Sequence, residues 1–249
     1  MSLDRPFQLI PKDTGRYSLC AAVSAGDLAD AMALRARCFG PAGGVRDRFD
    51  AEATHVIVRH RDSGDIVCTF RLTLLSGASV QDSYAGQSYA LDGLAAFPGP
   101  MLELGRFCTA PDRPDPDILR LAWAGMTSVV DAQAVGMLMG CASFPGTTPA
   151  PYLEAFALLG HRHLAPAPWR PGIKAPEVVR FAALADQRPD LRRAQAAIPP
   201  LLRTYLAMGG WVSDHAVIDR EMDTLHVFTG LEIAAIPESR KRLLRALAG

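Results

Sequence analysis

Residues 101–110, MLELGRFCTA, decide how this chain is read. The segment has the length and apolar content of a buried strand, yet it carries Glu103 and Arg106. Burying a charge is expensive unless the charge is paired or used. Side chains alternate along a strand, so two residues three apart point to opposite faces unless a bulge re-aims one of them. Bulges are enriched beside active sites, so a bulge here would bring the acid and the base into one cleft.

Working outward, HVIVRHR (55–61) and DIVCTFRLTLL (65–75) predict a β-hairpin turning at Asp62-Ser-Gly-Asp65. Before it, Ser24-Ala-Gly-Asp27 has the pattern of a capping box and opens a helix to Phe39 with the stripe Leu28, Met32, Arg35, Phe39. A Gly/Pro loop, FGPAGG (39–44), then leads to RDRFD (46–50). After the decisive strand, residues 115–136 predict a helix with aspartates in its first turn, and VGMLMGCASF (135–144) a buried strand. PAPYLEAFALLG (149–160) predicts a helix with Gly160 as its C-cap, PPLLRTYLAMG (199–209) a further helix, and LHVFTGL (225–231) a late strand. Strands interleaved with helices argue for one α/β domain with a mixed sheet, residues 1–249, and a basic helical tail from about 237.

No stretch is long and apolar enough to span a membrane, and no signal pattern opens the chain, so the expectation is a cytoplasmic protein. The five cysteines, 20, 38, 68, 108 and 141, form no CxxC and suit reduced thiols. His161 and His163 alone are too few for a zinc site, so no metal is expected. The formal net charge of zero hides an asymmetry. Residues 1–154 carry 13 basic and 17 acidic side chains, whereas 155–207 carry 8 and 3. A basic C-terminal half attracts an acidic protein, a nucleic acid or an anionic membrane, and charge pattern alone does not choose.

Arg35, Asp47, Asp50, Arg71, Glu103 and Arg106 all fall in or beside apolar elements. Singly, each has an ordinary reading: a snorkelling helix arginine, loop aspartates, an outward strand residue. Together they carry a resemblance. Leu34-Arg35 to Phe39, Asp47-x-Phe49-Asp50 to His55, CTFRL (68–72), ELGR (103–106) and GCASFPG (140–146) occur in one order. That series is similar to the bacterial N-acyltransferases that make lyso-ornithine lipid, a sister group of the acyl-homoserine-lactone synthases. HLAPAPWRP (163–171), PPLLRTYLAMGG (199–210) and 219–227 extend the likeness over about residues 16–231. Cys68 stands where that family usually has glycine, and the loop between Phe39 and Asp47 is short.

The resemblance implies a GNAT-like fold and transfer of a 3-hydroxyacyl group from the phosphopantetheine of acyl carrier protein to the α-amine of an amino acid. Ornithine is the first acceptor and glutamine the rival, and no separate cofactor is needed. A thioester is already activated, so the protein must supply position, a neutral amine and a home for developing negative charge. Glu103 is the candidate base, either Arg71 or Arg106 the fork for the substrate carboxylate, and Asp47 and Asp50 the readers of a cationic side chain. Arg35 has a second reading, as a lock on either aspartate. Phe39 and Phe107 complete the substrate wall. In GNAT folds two strands splay around the pantetheine; ELGRFCTA and MLMGCASF are the candidates, with backbone N–H groups near Phe107 for the oxyanion and Ser143 lining the arm. Cys141 and Ser143 have no evident His partner, which argues against a covalent nucleophile.

The glycine loop that cradles the coenzyme A pyrophosphate in GNAT folds is missing after this strand, where PDRPDPD (111–117) stands instead. That favours a carrier-protein donor. Seven basic residues from Arg162 to Arg193 are the candidate carrier-docking surface, and SRKRLLRALAG (239–249) a basic amphipathic helix for an anionic lipid surface; no nucleic acid partner is expected. Two rivals remain: an acyl-homoserine-lactone synthase, which the 140–146 and 163–171 blocks disfavour, and a catalytically silent carrier-binding protein, which the retained Glu103 and Arg106 disfavour.

Overall fold

The computed structural model describes Phe7 and residues 9–248, the side chains of 41–44 and 247–248 apart. Along the chain run β1 (Lys12–Thr14), β2 (Tyr17–Ala21), α1 (Ala25–Gly44), β3 (Thr54–His60), β4 (Ile66–Leu75), β5 (Tyr89–Ala90), β6 (Met101–Thr109), α2 (Pro116–Ala132) and β7 (Met137–Pro145). There follow α3 (Leu153–Arg162), β8 (Gly172–Ile173), β9 (Val178–Arg180), α4 (Leu191–Ala197), α5 (Pro200–Ala207), β10 (Trp211–Val212), β11 (His215–Asp219), β12 (Thr224–Glu232) and α6 (Glu238–Ala248). The chain divides into two compact units.

The first unit comprises the chain up to Leu74, Leu102–Val135 and the chain from Glu238. Its strands lie in the order β1-β2-β3-β4-β6. β1 to β4 are antiparallel neighbours, and the predicted hairpin is the β3–β4 pair. The Ala110 N–H donates to the Val67 carbonyl at 2.8 Å, joining the end of β6 to the start of β4. The register puts Leu19, Val58 and Cys68 on one face and Thr69 and Arg71 on the other. Helix α2 covers the first face so closely that a Cβ on Gly125 would lie 2.8 Å from a Leu19 methyl. Helix α6 packs on α2, with Arg245 bonding both oxygens of Asp131 at 3.0 and 3.1 Å. The predicted basic tail is thus a docked helix, its Leu243 and Arg242 exposed.

Helix α1 starts at the expected capping box: Asp27 N–H donates to Ser24 Oγ at 3.0 Å and Ser24 N–H to Asp27 Oδ2 at 3.3 Å. Its buried stripe differs from the one predicted. Ala31, Leu34 and Arg35 are buried, whereas Leu28, Met32 and Phe39 are half-buried. The expected FGPAGG loop is largely helix, broken at Gly40, whose φ of +76° suits a residue without a Cβ.

The second unit comprises Leu75–Met101 and Gly136–Pro237. Strands β7-β12-β11-β9 form an antiparallel sheet, β10 adds to β12, and β5 pairs with β8 apart from it. One side buries Phe144, Phe156, Phe181, Leu202 and Leu225; the other buries Tyr89, Met139, Trp211 and Phe228. Gly160 is not the C-cap of α3, a place taken by His163. A Cβ at Gly160 would lie 3.0 Å from the Phe181 Cβ, so this glycine serves close packing inside the helix. Among the described residues no helix is long and apolar enough to cross a membrane.

Candidate active site

Arg35, Arg71 and Arg106 of the first unit converge on the turn that holds Asp47 and Asp50. Asp47 caps the short helix 48–50: its Oδ1 accepts the N–H groups of Phe49 (3.0 Å) and Asp50 (3.2 Å), while Asp50 Oδ2 accepts the Asp47 N–H at 2.9 Å. The same two carboxylates also bind arginines. Asp50 Oδ1 accepts Arg35 Nη1 at 2.9 Å and Arg71 Nη1 at 2.7 Å. Asp47 Oδ1 accepts Arg71 Nη1 at 2.6 Å, and its Oδ2 accepts Arg106 Nη2 at 3.1 Å. Arg35 comes from α1, Arg71 from β4 and Arg106 from β6, so three elements are tied to one loop.

Burial differs sharply across this network. The side chains of Arg35, Arg71 and Asp50 are 1, 2 and 0% exposed, whereas Arg106 and Asp47 keep 11 and 25%. The Asp50 carboxyl is pulled in two directions: burial raises its pKa, but the Arg35 hydrogen bond, the Asp47 N–H and Arg71 outweigh that and hold it at about 2. Burial acts upward on Asp47 as well, and Arg71 and Arg106 overcome it to hold Asp47 below the usual range. Arg71 is desolvated too, yet the two aspartates push its pKa up. His55 sits opposite Arg71 in the β3–β4 register, and its Nε2 lies 3.0 Å from the Asp50 carbonyl. Burial lowers the His55 pKa against the upward pull of Asp50, and because a carbonyl only accepts, Nε2 is the donor in this bond.

Strand β6 resolves the question raised by its sequence. A Cβ at Gly105 would stand 3.0 Å from Arg71 Nε, so Gly105 faces the network; Glu103, two residues earlier and 4% exposed, shares that face by alternation. Phe107 would share it too in a regular strand, but its ring stacks on Phe70 at 5.4 Å, on the α2 side. The alternation therefore slips by one residue at Arg106, whose backbone is left-handed with φ +53°. The slip is what lets Arg106 reach Asp47 from the same face as Gly105 and Glu103.

Ser143 lies elsewhere, exposed on β7 of the second unit and paired in register with His226. Phe39 and Phe107 are both half-buried. Trp123, Met126 and Val130 are buried in α2, as core residues should be. His55 and Gly105 lay inside the quoted motifs without an assigned role. The Asp-x-x-Asp spacing of 47–50 was the signal for a capping box, and the close approach of Arg71 to Gly105 has no local signature. Among the described residues no cluster of His, Cys, Asp and Glu is fit to hold a metal ion.

Comparison with known proteins gives the fold and the family. Residues 39–124 match the family model of the GNAT acetyltransferase domain, so the fold around the network is that of the GNAT N-acyltransferases. The L-ornithine N(alpha)-acyltransferase of Rhodobacter capsulatus is 31% identical over 201 residues, covering 78% of this chain and 77% of its own. That of Rhizobium meliloti is 30% identical over 234 residues, covering 86% and 79%. The chain belongs to the L-ornithine N(alpha)-acyltransferase family. Among solved structures, the N-acyl amino acid synthase FeeM from uncultured soil microbes matches over 96% of this chain and 98% of its own, at 11% identity and a TM-score of 0.49, too distant to transfer a residue's role.

Proposed function

We propose that this protein transfers a 3-hydroxyacyl group from acyl carrier protein to the α-amine of L-ornithine, giving a lyso-aminolipid. The observation that carries the reading is the Arg35–Asp50–Arg71–Asp47–Arg106 network under β6, in a chain of this family. The network divides the candidate residues by what they can reach. Asp50, Arg35 and Arg71 are sealed and already bonded to one another, so their part is to hold the turn. Arg106 and Asp47 form the partly exposed edge, which suits Arg106 to the ornithine carboxylate and Asp47 to its δ-ammonium. Glu103 faces the same side and is the base: it takes a proton from the α-ammonium, and the freed amine attacks the thioester carbon. The C–N bond forms, the C–S bond breaks, the amine's second proton passes to the departing sulfur to give the pantetheine thiol, and Glu103 gives up the first to solvent. Backbone N–H groups where β6 slips, near Phe107, are assigned to the oxyanion.

The start of α2 supports the reading of the donor. Asp115 caps that helix with its own carboxylate, accepting the Asp117 N–H at 2.9 Å, the Tyr17 hydroxyl at 2.8 Å and Arg16 at 2.7 Å. Asp117 adds a second negative charge in the first turn. A pyrophosphate would meet carboxylates where it needs free N–H groups, which supports a carrier protein over coenzyme A. The exposed arginines 188, 192 and 193 near α4 suit an acidic carrier surface, and the outer face of α6 a peripheral contact with anionic lipid.

The test is to incubate the pure protein with 3-hydroxyacyl carrier protein and a panel of amino acids, reading product mass. N-acyl-ornithine as the main product is expected. Its absence overturns the acceptor, and equal rates with 3-hydroxyacyl coenzyme A overturn the donor.

A further inference from the structure

Helix α1, the β3–β4 turn and the link from β6 to α2 enclose an open cleft of about 480 Å³, all of it in the first unit. That size is ordinary for a small-molecule site. Part of its lining is apolar: Leu34, Val67 and Ala110 are buried and Ile66 is half-buried. The rest carries five charges: Asp30 and Arg37 on α1, Asp65 on the turn, and Asp112 and Arg113 on the link. Arg37 Nη2 donates to Asp112 Oδ1 at 2.7 Å, and Arg113 Nη2 to Asp65 Oδ2 at 2.9 Å. Asp30 is exposed and has no ion pair among the described residues.

We propose that this cleft binds a free basic amino acid: Arg37 takes its carboxylate, Asp112 its α-ammonium and Asp30 its side-chain cation. The charges choose the class of ligand. Three carboxylates against two guanidinium groups leave the lining negative, which disfavours a phosphate or other simple anion and suits a ligand with one excess positive charge. The carboxylates do not suit a metal ion, because among the described residues no cluster of His, Cys, Asp and Glu is fit to hold one. A diamine has nothing to offer an arginine. A basic amino acid brings one anion and two cations, so both signs on the lining meet their opposite.

The spacing of the charges fits the same ligand. Arg37 and Asp112 stand in contact, as the carboxylate and α-ammonium of an amino acid stand on one carbon. Asp30 lies about two turns, or roughly 10 Å, back along α1 from Arg37. Glycine or alanine is too short to engage both ends, whereas the extended chain of lysine or ornithine carries its second cation toward Asp30. Its methylenes then cover the apolar lining, which adds to binding. The existing ion pairs pose little obstacle. Both face water, where such a pair contributes little, so the charges of a ligand can take the partner's place.

This site does not rest on the acyl-transfer reading, and its probe is L-lysine, not the proposed acceptor. The full chain is titrated with L-lysine and followed by hydrogen–deuterium exchange and mass spectrometry. Slower exchange is expected in the peptides holding the turn at 62–65 and the link at 110–115, where backbone N–H groups border the cleft. L-norleucine, which lacks the side-chain cation, and cadaverine, which lacks the carboxylate, should each need about tenfold more for the same protection, the cost of one lost charge-assisted hydrogen bond. Asp30→Ala, at an exposed helix position where alanine is well tolerated, should weaken L-lysine about tenfold and leave L-norleucine unchanged. Arg37→Gln should weaken both amino acids and leave cadaverine unchanged. Absence of protection at 62–65 and 110–115 overturns the site, as does protection confined to 47–50 and 103–106. Equal protection by L-norleucine, cadaverine or inorganic phosphate overturns the ligand class, and an unchanged Asp30→Ala titration overturns the role of Asp30. None of these outcomes touches the acyl transfer, which product mass tests separately.

Discussion

Asp50→Asn is the sharpest probe of the buried network, because it keeps the shape and removes the charge. The native carboxyl sits at about 2 against an ordinary 3.8, and at 1.36 kcal/mol per unit the ionised form gains about 2 kcal/mol from its surroundings. The amide leaves the guanidinium groups of Arg35 and Arg71, 1 and 2% exposed, without that charge. Removing one partner of a buried pair costs about 3–5 kcal/mol, a large share of the 5–15 kcal/mol that holds a domain folded. Urea unfolding at pH 7, followed by far-ultraviolet circular dichroism, should show a loss of about 3 kcal/mol. The pH dependence supplies a second reading. Because the folded pKa is depressed, the Asp50 contribution is complete above about 4, the unfolded value, and disappears as pH falls through about 2. Wild type should lose this increment on acidification and Asp50→Asn should not. A loss under about 1 kcal/mol at pH 7, or an identical acid profile in the variant, refutes the assignment of Asp50 as the charged centre of the turn.

Glu103→Gln should lower kcat by about 100-fold or more while binding of the acyl carrier persists, read by product mass and by calorimetry; retained turnover removes Glu103 as the base. Arg106→Ala should raise KM for ornithine by about tenfold or more, since a charge-assisted bidentate contact is worth roughly 1.5–3 kcal/mol, with a smaller change in kcat. Gly105→Ala places a methyl 3.0 Å from Arg71 Nε and should cost about 1–3 kcal/mol in urea unfolding, together with most of the activity. Gly160→Ala meets the Phe181 Cβ at 3.0 Å and should cost a similar amount, although alanine is the better helix former; a stabilised Gly160→Ala would restore the C-cap reading.

Most of the framework was legible because periodicity is a local property. The β3–β4 hairpin, β6, α2 and β7 all lie where alternation and helical spacing put them, and the Ser24–Asp27 box opens α1. What the sequence withheld depends on partners distant along the chain. Gly160 has the composition of a helix end, but Phe181, twenty-one residues on, sets its role through close packing. Arg35 stood out as a charge on an apolar stripe, yet the stripe itself was displaced because Asp50 compensates the arginine and lets it face inward beside Leu34. Spacing left open which arginine meets substrate; burial separates Arg71 from Arg106, and burial is a property of the assembled unit. The suspected bulge was named from two charges three apart, whereas its position at Arg106 needed the Phe70–Phe107 stack and the Arg71–Gly105 approach to be seen.

The turn at 47–50 closes upon its own carboxylates, so it is tied together without help from any bound molecule. Exchanges at 47 and 50 disturb the loop's own capping box together with the arginine pairs it anchors, so activity lost in such a variant has to be read beside its folding.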